Sequence, residues 1–540
     1  MQITAQKKSV QNSVEKDSGR GGTSLGKVAF SLSVIAVFSK VFGFAEKLIV
    51  AHFFGTDAQA DVYFASMGIV LSFVFLVKEL IYPSVLPVFA QALKTSFAAS
   101  SALFKKVFFR LAVVLVVLAF IMVLFSDTVV AVLVSGFSED KKLLTSSLLR
   151  YLAPSCLFLC MTTLTYAALN CRRSFLKAAV PEAAFKLLVA AGLVILAPFM
   201  GIYALALTLA IASAMVFMVQ LFFVPEGRVL LAKNSYTPDS EIKKTLTLMG
   251  PLVLGVVFSH ISGLVDNMLA STLPTGQLSF LGYSKKLIDA ILLVGPVALV
   301  TVVYSQLSHL NAEGKSVEFK TLFINSLRLI LFVSIPAAVV LIMLREPVVA
   351  TLFERGRFTA QSTFGTSQAL FIYAAGLVTF AVETLVVFGF YALSNTKVPV
   401  RIGIFAVFLD IILAVSLVRP FGFAAIAWAY VFSKTIKVII LLLNMDRKFR
   451  FLNKGEFINF ILRVTASCLT SAFCLYLLKD LKAPSSFLTT FVFDLAIPAV
   501  GFGFVFALCC RLLKIEELSY ISSILLCRKN LKSELTRERL

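Results

Sequence analysis

Lys40, Gly43 and Lys47 stand three and four residues apart inside FSKVFGFAEKLIVAHFFG (38–55), a run apolar enough to help cross a membrane. On a helix they fall along one stripe, since seven residues make nearly two turns, and Glu46 lies about a hundred degrees from Lys47. One face therefore offers two ammonium groups with a side-chain-free gap between them. Far along the chain, Lys285, Lys286 and Asp289 form a second charged group inside another apolar stretch. Asp61 opens the second apolar run, and Lys78 with Glu79 lies within it. An ionised side chain at the centre of a membrane helix costs about 2.5–3.5 kcal/mol, so such groups should face a hydrated cavity or a partner. Two readings stand. In one, a hydrated cationic cavity receives an anionic substrate through Lys40, Lys47, Lys285 and Lys286, supported by Gly43, Glu46, Asp61, Lys78 and Asp289. In the other, the charges pair among themselves, Lys286 with Asp289 for example, and only fix helix register. Elsewhere Arg328, Lys186 and Lys434 are expected to snorkel or pair, and Glu383 and Asp410 read as lone acids in their helices. His52, His260 and His309 lack metal-ligand spacing, so no metal site is expected.

The elements that must hold these residues follow from composition. Of 540 residues 59% are apolar and only 15% charged, with a mean hydropathy of +0.93. A soluble domain is roughly half apolar. Lipid cannot satisfy open backbone groups, so the expectation is an all-α polytopic membrane protein. Hydropathy places fourteen spans near 28–54, 61–86, 107–126, 149–170, 179–199, 203–224, 247–271, 280–306, 322–344, 366–393, 399–418, 422–445, 457–478 and 487–510. Connections on one side hold 30 Lys and Arg and the alternate ones eight, which predicts both termini in the cytoplasm. The net charge of +21 is explained by those loops and tails, and no nucleic acid is expected as a partner. Residues 1–27 read as a retained polar cytoplasmic tail rather than a signal peptide. The eight cysteines lie in or beside apolar spans without zinc or disulfide spacing, and are expected to be small apolar fillers.

A repeat is visible as well. FSKVFGFAEKL (38–48) aligns without a gap, at an offset of 220, with FSHISGLVDNM (258–268). Tyr166–Asn170 ends span 4 much as Tyr391–Asn395 ends span 10. Six helices thus recur as six in the same orientation, an arrangement of transporters with the substrate site between the halves. The expected organisation is an N-lobe (28–224, spans 1–6), a cytoplasmic linker (225–246), a C-lobe (247–445, spans 7–12), spans 13–14 (446–510) and a basic cytoplasmic tail (511–540). No Gly-rich phosphate loop or Ser/His/Asp grouping is present, and the longest outer connections, about 22 residues, are too short for a membrane glycosyltransferase. The expectation is a transporter, not an enzyme.

SKVFGFAEKLIVAHFFGTDAQADVYFAS (39–66), MGPLVLGVVFSHISGLVDNMLAS (249–271), GYSKKLIDA (282–290) and LFERGRFTAQST...GFYALSNTKVPVRI (352–402) resemble the MviN/MurJ family of lipid II flippases. The resemblance implies movement of an undecaprenyl-pyrophosphate-linked peptidoglycan precursor, lipid II, from the inner to the outer leaflet of the bacterial cytoplasmic membrane. It also implies two six-helix lobes around a cationic cavity and a final helix pair that grooves the lipid tail. Membrane lipids are the other expected partners, the chain acts as a monomer, and no cofactor is expected, the drive being membrane potential or an ion gradient. The family's helix 1 pattern falls on Ser39-Lys40, Gly43 and Glu46-Lys47, its helix 8 arginine on Lys286 with Asp289 after it, and its helix 2 acid on Asp61. The arginine pair expected within helix 2 is replaced by apolar residues around Phe73-Val74, leaving Lys78, and lysine lacks the guanidinium fork. The alternatives are a transporter of another polyprenyl-linked saccharide and a drug/cation antiporter, which would want an acidic, aromatic cavity.

Overall fold

The computed structural model describes residues 31–32, 34–230, 239–449, 454–477, 490–515 and 517–518. These are helical, and no strand occurs among them. Ten helices are long and apolar enough to cross a membrane. Two helix pairs, Gln277–Leu292 with Gly295–Ala312 and Ala360–Ala375 with Leu377–Ala392, each add a span bent by 40° and 43° respectively. Helices at 34–54 and Asp239–Ser271 occupy the first and seventh expected positions, a set consistent with fourteen. The polar tail 1–27, Lys233 in the linker, Cys527 and most of the basic tail lie outside the described residues.

Three helices outrun the apolar windows that announced them. Span 2 runs Ala58–Thr95, span 3 starts at Phe97 and span 4 at Glu139. The extensions are polar turns that hydropathy does not register. Ser96 accepts a hydrogen bond from the Ala99 amide and so caps span 3. Glu139 and Asp140 place negative charge at the start of span 4, where the helix dipole favours it. The bends also have local causes. Span 8 breaks at a π-turn, Leu293–Val297, that contains Pro296. Span 10 breaks at Gly376, where a Cβ would lie 2.7 Å from the Phe380 ring and 2.8 Å from Val431.

The backbone restates the repeat. Positive φ occurs at Gly55 and Gly276, Arg173 and Ser394, and Gly201 and Gly422, each pair 221 residues apart. Spans 4 and 10 end in the same way, with Ser174 N–H donating to Leu169 O and Asn395 N–H to Phe390 O. This corrects one sequence alignment. Tyr166–Asn170 and Tyr391–Asn395 match at an offset of 225, so their likeness is out of register by four residues, about one helical turn. Short helices Ser126–Leu133 and Arg345–Phe353, which the hydropathy did not show, sit in corresponding connections, between spans 3 and 4 and between spans 9 and 10.

The chain divides into two compact units. One holds residues up to Phe53, Ser66–Ala131 and Lys142–Val257; the other holds Phe54–Ala65, Val132–Lys141 and the chain from Phe258 onward. In the first, the wholly buried Glu226 carboxylate takes hydrogen bonds from Arg172 and from Ser100 Oγ, tying the ends of spans 3 and 4 to the turn after span 6. In the second, Phe323, Leu327, Leu385 and Leu441 form a core with Val464, Cys468 and Phe506, so spans 13 and 14 pack on span 9. Arg328 of span 9 pairs with Glu517. Outward-facing side chains are large and apolar, as on span 3 (Val113, Val117, Phe120), a surface suited to lipid rather than water.

Candidate functional site

The charged residues singled out in the sequence fall into two groups, one in each unit. In the first unit, span 1 carries Lys40, exposed, and Glu46 and Lys47, which turn inward. Glu46 is buried and accepts a hydrogen bond of 2.8 Å from Lys47 Nζ. The room over Gly43 is taken by a residue from span 5. Lys186 Cδ lies 3.8 Å from where a Cβ on Gly43 would stand. Lys78 of span 2 is half-buried and within electrostatic reach of Lys186 and Glu182. Helices 1, 2 and 5 thus bring Lys47, Lys78 and Lys186 into one lobe, although span 5 gave no sequence sign of this beyond a single lysine in an apolar run.

In the second unit Asp61 does something different from binding a substrate. Its Oδ2 accepts from the Gly276 amide at 2.8 Å and from Lys141 Nζ at 2.9 Å; its Oδ1 accepts from the Ser279 amide at 3.0 Å and Ser279 Oγ at 2.6 Å. The carboxylate is therefore an N-cap supplied from elsewhere in the chain to helix Gln277–Leu292, whose own N-cap, Gly276, has no side chain and φ +96°. Beside it Tyr283 Oη donates to Gly55 O at 2.9 Å. A Cβ at Gly282 would lie 2.4 Å from the Phe64 ring, so glycine is what lets the two helices meet there.

Lys285 and Lys286, adjacent in sequence, part company. Lys286 is half-buried and pairs with Asp289 at 3.2 Å, the register-type pairing. Lys285 points inward and sits over the Tyr430 ring at 4.2 Å, with Asp266, Asp289 and Tyr373 in electrostatic reach. Lys434 approaches the same ring at 5.6 Å. Neither acid read as solitary is alone. Glu383 Oε1 accepts from Lys434 at 2.9 Å and Lys437 at 2.7 Å, and Asp410 accepts from Ser262 Oγ with Asp266 nearby. The one sequence signal for the Glu383 cluster was the three-residue spacing of Lys434 and Lys437, which places both on one helix face. In the second unit Lys141, Lys286, Lys434 and Lys437 are each bonded to a carboxylate, and in the first Lys47 is bonded to Glu46.

Comparison with known proteins bears on what such a molecule does. A family model described as "Lipid II flippase MurJ" matches residues 50–496. The chain is 26% identical over 455 residues to the probable lipid II flippase MurJ of Buchnera aphidicola subsp. Acyrthosiphon pisum, covering 82% of this chain and 88% of that protein. It is 28% identical over 435 residues to the probable lipid II flippase MurJ of Vibrio cholerae, covering 77% and 82%. Among solved structures it resembles a lipid II flippase MurJ in an inward closed conformation, with TM-score 0.76, 22% identity, and 90% and 99% of the two chains covered. An inward-facing multidrug resistance MATE family transporter of the MOP superfamily follows with TM-score 0.66 and 13% identity, covering 76% and 94%. At those identities the two structures speak for the fold.

Proposed function

Since the chain belongs to the lipid II flippase MurJ family, we propose that it is a transporter that carries lipid II across the bacterial cytoplasmic membrane, from inner to outer leaflet, for peptidoglycan synthesis. The observation that carries this reading to particular residues is the group of lysines inside the first unit, where Lys47, Lys78 and Lys186 lie on apolar spans. A pyrophosphate entering the bilayer must exchange its hydration for fixed positive charge. Each lysine–phosphate contact at an effective dielectric of about 20 supplies on the order of a few kcal/mol before desolvation, enough to bias a two-state equilibrium between inward- and outward-open forms. Lys40 and Lys47 receive the pyrophosphate in this reading, and Glu46 sets the local charge balance. Spans 13 and 14, with Leu462, Leu469 and Phe504 exposed, offer the apolar surface for the polyprenyl tail. The drive is the membrane potential or an ion gradient. The chain acts as a monomer with both termini in the cytoplasm.

The test is depletion of the protein with measurement of which lipid-linked precursor gathers on the inner leaflet. Lipid II is expected to accumulate there, and its undiminished arrival outside would overturn the reading. Lys40→Ala and Lys47→Ala are each expected to abolish or strongly impair translocation while the protein still inserts, with Lys→Arg largely preserving it and Glu46→Gln milder. Glu46→Gln as damaging as Lys40→Ala, with Lys47→Ala silent, would instead make the acid the working group.

A further inference from the structure

Lys186 is placed where a lysine is hard to explain as structure. At 1.5 Å per residue it lies about 16 Å from the start of its helix, Phe175–Met200, and about 21 Å from its end. Lys78 is about 12 Å from the nearer end of the apolar stretch 61–86. Neither side chain is long enough to bring its ammonium group out to the membrane surface from such a depth. Neither takes part in an ion pair or a hydrogen bond among the described residues, and Glu182, the acid within electrostatic reach of Lys78, makes no ion pair there either. A half-buried ammonium ion not hydrogen-bonded to a carboxylate is costly in an apolar lobe until an anion reaches it.

The stem of Lys186 is held by packing, and its charge touches only an aromatic ring. Its Cδ and Cε stand 3.8 and 4.0 Å from the Cβ position at Gly43, and its Nζ lies over the Phe185 ring at 5.2 Å. The side chain therefore crosses to span 1 at the glycine that separates Lys40 from Lys47. The fold does not demand a cation here. At the repeat offset of 221 the counterpart of Lys186 in span 11 is Val407, an apolar residue. Lys186 thus stands beside the helix that carries Lys40 and Lys47, with Lys78 within electrostatic reach, so three spans of this lobe bring lysines toward one region.

We propose that Lys186, together with Lys78, is a binding residue for the phosphate groups of the substrate, a third helix's contribution to the cation set of spans 1 and 2. This rests on the flippase reading for the identity of the substrate, but the binding chemistry is tested separately. The full chain, purified into nanodiscs, is titrated with farnesyl pyrophosphate, with farnesol as the uncharged control. Lys186→Met keeps the stem over Gly43 and Phe185 and removes only the charge. It is expected to weaken farnesyl pyrophosphate binding about tenfold or more, to leave farnesol binding unchanged, and to hold or raise the thermal unfolding midpoint, since an unpaired interior charge is lost. Lys186→Arg should restore pyrophosphate binding. Unchanged pyrophosphate affinity in Lys186→Met, or equal loss for both ligands with a lowered midpoint, would overturn the proposal and leave Lys186 as a packing residue. If the wild type binds the pyrophosphate through Lys186 yet moves no lipid II in vesicles, the flippase reading fails and this one stands. If Lys186→Met moves lipid II as well as the wild type does, this one fails and the flippase reading stands.

Discussion

Asp61 shows how one carboxylate can hold several elements at once. It accepts two amide hydrogen bonds from the start of helix Gln277–Leu292, one from the Ser279 hydroxyl and one from Lys141, while being almost wholly buried. Asp61→Asn keeps the volume but turns one acceptor into a donor facing donors, and it leaves the buried Lys141 ammonium without its carboxylate. The expected cost is about 2–4 kcal/mol, read as a lowered midpoint of thermal unfolding in detergent. Adding Lys141→Met should recover part of that loss, because it removes the stranded charge; a double variant as unstable as the sum of the singles would show that the ion pair contributes nothing. The sequence showed that an acid opens span 2, but not its task, because Gly276 lies 215 residues away. The same distance effect hid Lys186 and Glu383. A charge in an apolar run announces that it needs a partner, yet the partner stands on another helix, and spacing along one chain segment cannot name it. Lys286 with Asp289 was legible because its partner is three residues away, whereas Glu46, read as pointing aside, turns back to bond its neighbour Lys47.

At the scale of helices, the existence and order of the spans were legible, since an apolar run of that length has one use in lipid. Their ends and bends were not, because caps, polar turns and a π-turn at Pro296 carry little hydropathy signal. Close approaches between elements were equally silent, and two glycines separate what matters. At Gly136, in the turn before span 4, a Cβ would lie 2.4 Å from the Thr272 Cα and 2.6 Å from its amide nitrogen, backbone atoms at the end of span 7. At Gly43 the nearest neighbour would be the flexible Lys186 stem at 3.8 Å, an ordinary contact. Gly136→Ala must therefore displace backbone and should destabilise by about 1–3 kcal/mol. Gly43→Ala sits mid-helix, where alanine is favoured over glycine, and should be neutral or stabilising by up to about 1 kcal/mol. Both are read as shifts in the thermal midpoint. No loss in Gly136→Ala would mean that the turn at 134–137 is free to move away from span 7.

Over the whole molecule, the placement of charge predicts how the chain lies in the membrane. Lysine and arginine number 30 in one set of connections and eight in the other, and such cations are retained on the cytoplasmic side during insertion. The surplus is spread over eight connections, so no single loop decides the outcome. Single cysteines placed into a cysteine-free background test this directly, and the native cysteines that would have to be replaced are largely buried among apolar side chains. Lys177→Cys, exposed in the connection after span 4, should react with a membrane-impermeant maleimide only when the cytoplasmic face is opened to it. Thr275→Cys, exposed just before the helix that Asp61 caps, should react in intact cells. The two sites are separated by an odd number of spans, 5 to 7, so they must label from opposite sides whatever the orientation. Labelling of both from the same side would break the span count itself, whereas a clean exchange of sides would keep the helices and invert the direction in which lipid II has to move.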